Sequence, residues 1–146
     1  MAESTESSTH VEASPDAVLA VIADLERYPE WVAGVKSVEV LETKAGRPSR
    51  ARFVVDQAPI RDTYVLDYTW KVVKAGTGTV SWSLVEAGTM NGLDGAYELS
   101  AAGAGTDVTY RLAVDAKIKL PGLLRRRAEK TVVDTALKGL RRQVEG

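Results

Sequence analysis

The sequence predicts an α+β fold in which a curved antiparallel sheet of about seven strands wraps around a long C-terminal helix, with two short helices after the first strand. Three observations predict it. Six stretches between Val35 and Ile118 alternate apolar and polar residues with a period of two, separated by short Gly-containing or Pro-containing turns. "SPDAVLAVIADLERYPEWV" interrupts that alternation near the front with helical spacing. "LPGLLRRRAEKTVVDTALKGLRRQVEG" closes the chain with an apolar stripe long enough to cover one face of such a sheet.

Ser8–Ser14 alternates and reads as a short first strand, with residues 1–7 as a flexible tail of a single domain spanning 1–146. Ser14 stands where a helix N-cap belongs, Pro15 at the first helical position, and Asp16 in a first turn whose dipole favours an acid. Val18, Leu19, Ile22 and Leu25 recur at helical spacing. Pro29 disfavours the α conformation at Tyr28, so the first helix is expected to break there and a second to run through Trp31. Tyr28 and Trp31 share a face of that corner. Either they wedge the short helices against the sheet, or Trp31 stands at a cavity mouth.

Strands follow at Val35–Thr43, Ser49–Gln57, Arg61–Val73, Gly78–Ala87, Gly92–Ala102 and Gly105–Ile118. Turn signals separate them at Ala45–Pro48, Ala58–Arg61, Ala75–Gly78, Ala87–Gly92 and Ala102–Gly105, and such short connections imply antiparallel pairing. Asn91-Gly92 is either a tight hairpin turn or, if Gly88-Thr89 turns the chain, a bulge within a longer strand. Pro121 starts a final helix of about 24 residues. Leu124, Ala128, Val132, Ala136 and Leu140 form its stripe, widened by Val133, Leu137 and Val144.

Alternation assigns the sheet faces. Of nine aromatic residues, seven (Phe53, Tyr64, Tyr68, Trp70, Trp82, Tyr97, Tyr110) fall on the face that meets the helix. Four of these are tyrosines, and a buried tyrosine needs a partner for its hydroxyl. The helix opposes them with small residues: Ala128, Thr131, Ala136 and Gly139. Large rings over small residues either pack tightly together or leave a ligand-sized gap.

Composition narrows the function classes. The chain has 146 residues, 45% hydrophobic and 27% charged, with a net charge of -1, as in an ordinary soluble globular protein without the basic excess of a nucleic-acid binder. The absence of cysteine excludes disulfides, thiolate nucleophiles and Cys-based zinc sites, and fits a reducing cytoplasm. His10 is the one histidine, which argues against a multi-His metal centre and a Ser-His-Asp relay. "MAESTESSTH" lacks the features of a secretory signal, and no apolar run is long enough to span a membrane. Residues 1–30 carry seven acids and one base, whereas residues 121–146 carry seven bases and three acids. An acidic front packed near a basic helix is one reading. A contact of Arg125, Arg126 and Arg127 with an anionic surface is another.

"ASPDAVLAVIADLERYPEWVAGVKSVEVLE", "LDGAYEL", "GTDVTYRLAVD" and the closing "LPGLL" helix together resemble the polyketide cyclase/dehydrase-like branch of the START-like (SRPBCC) superfamily, over about residues 8–145. The D-x-x-x-Y-P-x-W spacing from Asp24 to Trp31 is the most distinctive part. The resemblance implies a helix-grip fold and a deep apolar cavity between the sheet and the C-terminal helix. It implies binding of lipids, polyketides, quinones or similar apolar molecules. No cofactor or metal is expected. The scaffold hosts carriers and enzymes alike.

The candidate ligand-binding residues are Trp31, Phe53, Tyr64, Tyr68, Trp70, Trp82, Tyr97, Tyr110, Ala128, Val132 and Ala136. The first expectation is binding or carriage of an apolar small molecule. The alternatives are an aromatase/cyclase-like dehydratase in the same cavity and a protein-interaction module on the basic helix face. The resembling cyclases combine a pocket Arg with hydroxyls. Tyr68 and Arg61 are the candidates for those roles, because Arg50, Arg52 and Arg111 fall on the outer face.

Overall fold

The alternation becomes one seven-stranded antiparallel sheet. Its strands are β1 (Thr5–Val11), β2 (Val35–Lys44), β3 (Arg47–Gln57), β4 (Ile60–Val72), β5 (Gly78–Ala87), β6 (Met90–Ala102) and β7 (Gly105–Ala116), in the order β1-β7-β6-β5-β4-β3-β2. The computed structural model describes residues 4–57 and 60–146, with Gln57 and Ile60 described by their backbone. The turn expected at Ala58–Arg61 centres on residues 58 and 59, which lie outside the described residues. From β2 onward each strand pairs with the next. β1 closes back onto β7, so β1 and β2 form the two edges.

The connections show why the strands end where they do. Ala45 and Gly46 turn β2 into β3 with φ of 52° and 79°, a two-residue turn that matches the twist of the strands. The β5–β6 hairpin turns at Gly88-Thr89, and the register shift between Met90 and Gly92 makes Asn91 a bulge. Asp62 at the start of β4 fastens that hairpin: its carboxylate accepts from Gly88 N (2.9 Å), Thr89 N (2.9 Å) and Thr89 Oγ1 (2.8 Å). Burial pushes the Asp62 pKa up, but the hydrogen bonds from Thr89 and Gly88 outweigh it and hold the carboxyl below its usual range.

The front of the chain departs from expectation in three places. Thr5–Ser7 belong to β1 and not to a tail. They are held because Thr5 Oγ1 donates to Glu129 (2.6 Å) and Ser7 Oγ to Asp134 (2.7 Å). Ser14 occupies the N-cap position of α1 (Pro15–Ala23), but its hydroxyl donates to Asp16 (2.7 Å) and caps no backbone N–H. Helix α1 stops at Asp24, five residues before the proline expected to stop it, and Pro29 lies inside a 3-10 helix, Leu25–Glu30. A tight helix of this length loses little from one missing donor, and Tyr28 O still accepts from both Trp31 N and Val32 N.

Helix α2 (Gly122–Glu145) packs on β1, β7 and α1. Its buried face is Glu129, Val133, Ala136, Leu137, Gly139 and Leu140. The stripe is thus rotated from the one the sequence marks: Leu124 is 48% exposed and Ala128 half-buried, and full burial begins only at Glu129. At Gly139 a Cβ would run into the carbonyl oxygen of Trp31, so glycine lets α2 sit directly on the backbone leaving the 3-10 helix. Among the described residues no helix is long and apolar enough to cross a membrane. Arg50, Arg52 and Arg111 pair with Asp67, Glu39 and Glu98 across the outer face of the sheet.

Candidate functional site

Cross-strand register builds the site. Phe53 lies opposite Tyr64, Tyr68 opposite Trp82, and Tyr97 opposite Tyr110. Their ring centroids are 5.5, 5.6 and 4.6 Å apart, distances at which aromatic pairs attract beyond their area burial. Trp82 also reaches Tyr97 (5.4 Å) and Tyr110 (5.6 Å). It does so because its other cross-strand partner is Gly95, where a Cβ would overlap the indole. From the 3-10 helix, Tyr28 adds a ring 6.1 Å from Phe53 and donates its hydroxyl to Ile22 O at 2.6 Å.

Between this aromatic surface and α2 lies a cavity of about 90 Å³. The sheet walls it with Phe53, Val55, Tyr64, Leu66, Tyr68, Trp82, Tyr97 and Tyr110. The 3-10 helix and the chain after it add Tyr28, Val32, Ala33 and Val35, and α2 adds Val132 and Ala136. The space is well below the roughly 300–1,000 Å³ of typical small-molecule sites. Of the two arrangements open to large rings over small helix residues, close packing therefore accounts for most of this interface, and the ligand-sized gap is reduced to a small remnant.

The expected residues divide accordingly. Phe53, Tyr64, Tyr68, Trp82, Tyr97, Tyr110, Val132 and Ala136 line the cavity. Trp31, Trp70 and Ala128 do not. Trp31 is buried beneath Gly139 with its ring edge-on to Tyr28 (4.8 Å), a wedge between the short helices and α2. Trp70 stacks behind Tyr68, donates its indole N–H to Pro48 O (2.6 Å) and carries Arg47 over its ring at 5.7 Å. Ala128 lies one turn before Val132 and is half-buried. Arg61 is not on the cavity wall. Its side chain is 80% exposed and pairs with Asp56 at 2.8 Å, as suits the end of a hairpin. Tyr28, Val32, Ala33 and Val35 are wall residues the sequence did not single out as such. Val55 and Leu66 already carried the signal, since both share the inward alternation of their strands.

The chemistry on offer is that of neutral hydroxyls. Burial raises the pKa of Tyr28, Tyr68, Tyr97 and Tyr110 well above the ordinary phenol value, and that of Tyr64 as well. These groups stay protonated and can donate or accept without supplying charge. Tyr28 and Tyr68 share a side-chain hydrogen bond. Trp31 Nε1 is the one completely buried side-chain nitrogen or oxygen without a partner among the described residues, so the hydroxyls of the wall residues Tyr64, Tyr97 and Tyr110 keep open surface toward the cavity. The described walls hold no Asp, Glu, His, Lys or Arg. No cluster of metal-ligating side chains is found among the described residues.

Comparison with known proteins follows the same lines. Residues 11–141 match the family described as polyketide cyclase/dehydrase and lipid transport. A START superfamily protein from Mycobacterium smegmatis superposes with a TM-score of 0.89 at 19% identity, covering 98% of this chain and 97% of that one. An aromatase/cyclase from a Streptomyces species gives 0.75 at 20% identity, covering 99% and 94%. A STAR-related lipid transfer protein from Xanthomonas axonopodis gives 0.72 at 20% identity, covering 97% and 85%. At these identities the shared property is the fold. No curated protein matches the sequence.

Proposed function

The chain belongs to the polyketide cyclase/dehydrase and lipid transport family of START-like proteins, and from that premise we propose that it binds and carries an apolar small molecule bearing a few oxygen atoms. The observation that carries this reading is the wall of the cavity: aliphatic and aromatic surface, tyrosine hydroxyls opening inward, and no charged side chain among the described lining residues. Apolar burial supplies affinity at roughly 25 cal/mol per Å². Each hydroxyl that finds a ligand oxygen adds about 1 kcal/mol and fixes orientation. The absence of charge from the described walls favours carriage over turnover, because enolisation and dehydration of a polyketide need groups that stabilise or move charge. Loading requires the cavity to grow several-fold, by movement of α2 at Val132 and Ala136 or of the chain from Val32 to Val35.

Native mass spectrometry of freshly purified protein, followed by titration with palmitate and with an anthraquinone, tests the proposal. The expected result is a one-to-one complex with at least one of them, weakened tenfold or more by Ala136→Phe, which fills the cavity from the helix side. Val132→Phe repeats the test from a half-buried position should Ala136→Phe fail to fold. No complex with either compound, or equal binding by both phenylalanine variants, overturns the proposal. Conversion of a linear poly-β-ketone thioester to an aromatic product would replace carriage with catalysis.

A further inference from the structure

Six large apolar side chains are strongly exposed among the described residues, and four of them crowd into the β7–α2 connection and the first turn of α2. Ile118 is 80% exposed, Leu123 71%, Leu124 48% and Leu120 43%. Pro121 joins the connection to the helix, and the first two turns of α2 have no fully buried side chain, so the four lie on one exposed stretch of chain, residues 118–124. Bases surround them. Residues 115–130 hold six (Lys117, Lys119, Arg125, Arg126, Arg127, Lys130) against two acids (Asp115, Glu129). Of those acids, Glu129 is buried and Asp115 already faces Lys119 at 3.8 Å. An open surface groove of about 580 Å³, lined in part by Leu123, Arg126, Arg127 and Lys130, continues the basic surface along the helix.

From this juxtaposition we infer that the tip formed by Ile118, Leu120, Leu123 and Leu124 seats in an anionic phospholipid surface, with Lys117, Lys119 and Arg127 on the headgroups. Apolar side chains inserted just below a ring of bases are the arrangement by which short segments hold to charged bilayers. A protein partner fits less well, because the two bases that flank Ile118 are lysines, which are depleted from protein interfaces, and arginine, which is enriched there, stands only on the helix side. A second copy fits least, since a two-fold contact would set one basic tip against another. The inference concerns a surface distinct from the cavity and does not depend on what the cavity holds.

Flotation of the full chain with phosphatidylcholine vesicles, with and without phosphatidylglycerol, tests it. Binding is expected to need phosphatidylglycerol and to fall as salt rises. Lys117→Gln with Lys119→Gln should lower partitioning about twenty-five-fold, at about fivefold per base. Leu123→Ser with Leu124→Ser should lower it about tenfold, as the inserted apolar surface is lost. Val73→Ser, which removes an exposed apolar side chain elsewhere, should leave it unchanged. All these positions are exposed, so the variants should keep the wild-type circular dichroism spectrum. Equal binding to neutral vesicles, no binding to anionic ones, or full retention by the double serine variant overturns the inference. So does a concentration-dependent dimer that the double serine variant abolishes.

Discussion

Replacing Glu129 by alanine tests how α2 is held to the sheet. The side chain is 1% exposed, and its carboxylate accepts from Thr5 Oγ1 on β1 (2.6 Å), from Val114 N on β7 (2.8 Å) and from Arg125 Nη1 one turn back on its own helix (3.0 Å). Alanine leaves the three donors to different fates. The Val114 N–H is left without a partner beneath the helix, at a cost of about 1–3 kcal/mol. The Thr5 hydroxyl can rotate toward water and Arg125, 24% exposed, already reaches it, so each loses about 0.5 kcal/mol. The total is about 3 kcal/mol, at the low end of the 3–5 kcal/mol that removing one partner of a buried ion pair costs. Glu129→Gln keeps the volume and one acceptor oxygen but must point an NH2 at one of the donors, so it should lose about 1–2 kcal/mol. Urea unfolding followed by circular dichroism reads both. With a slope near 2 kcal/mol per M, the alanine midpoint should fall by about 1.5 M and the glutamine midpoint by about half as much. A loss below about 1 kcal/mol for alanine, or a glutamine variant less stable than the alanine one, would refute this account of the contact.

Two further outcomes can be checked on the same instrument. Gly95→Ala should destabilise by about 1–3 kcal/mol and alter the near-ultraviolet spectrum, because its Cβ must displace the Trp82 indole from the aromatic cluster; an unchanged spectrum and midpoint would show that the ring has room to move. The hydrogen bond to Asp107, aided by Glu12, raises the His10 pKa above 6.5 in the folded chain, so its protonated form stabilises the fold. That contribution is fully present below about pH 6.5 and is lost as the pH rises through the folded value, so the stability gap between wild type and His10→Asn should shrink from pH 5.5 to pH 9. A gap that widens with pH would reverse the assignment.

What could be read from the sequence was whatever a local period encodes. The period of two in β3 to β7 placed Phe53, Tyr64, Tyr68, Trp82, Tyr97 and Tyr110 on the concave face, and strand register then paired them. The exceptions have tertiary causes. Trp70 shares the inward period but is only half-buried and off the cavity wall, and its indole N–H donates to Pro48 O. Glu129 counts in the sequence as one of the acids among the helix bases, yet it faces the sheet, because acceptance from Thr5 and Val114 outweighs the preference of a carboxylate for water. Pro29 was legible as a punctuation mark, but the break falls at Asp24 because a 3-10 helix accommodates the proline that an α-helix would not. Cavity volume was not legible at all. It depends on ring orientations that Gly95 and Gly139 permit by lacking a side chain, and no periodicity encodes them.

The crossing at Gly139 also acts as a fulcrum. With no side chain between α2 and the Trp31 carbonyl, the helix comes closer to the chain beneath it at this position than any residue with a Cβ would allow. At 1.5 Å per residue, roughly 26 Å of helix lies between that point and Gly122, roughly 15 Å reaches Glu129 and under 5 Å reaches Ala136. A tilt of about 10° about Gly139 would therefore shift Ala136 by less than 1 Å, Glu129 by about 3 Å and Gly122 by more than 4 Å. The cavity wall at Ala136 is on the short arm, the apolar tip is on the long one, and the Glu129 carboxylate is the latch between them. A small rearrangement at the tip is geared down before it reaches the aromatic wall, while the latch is the first contact to break.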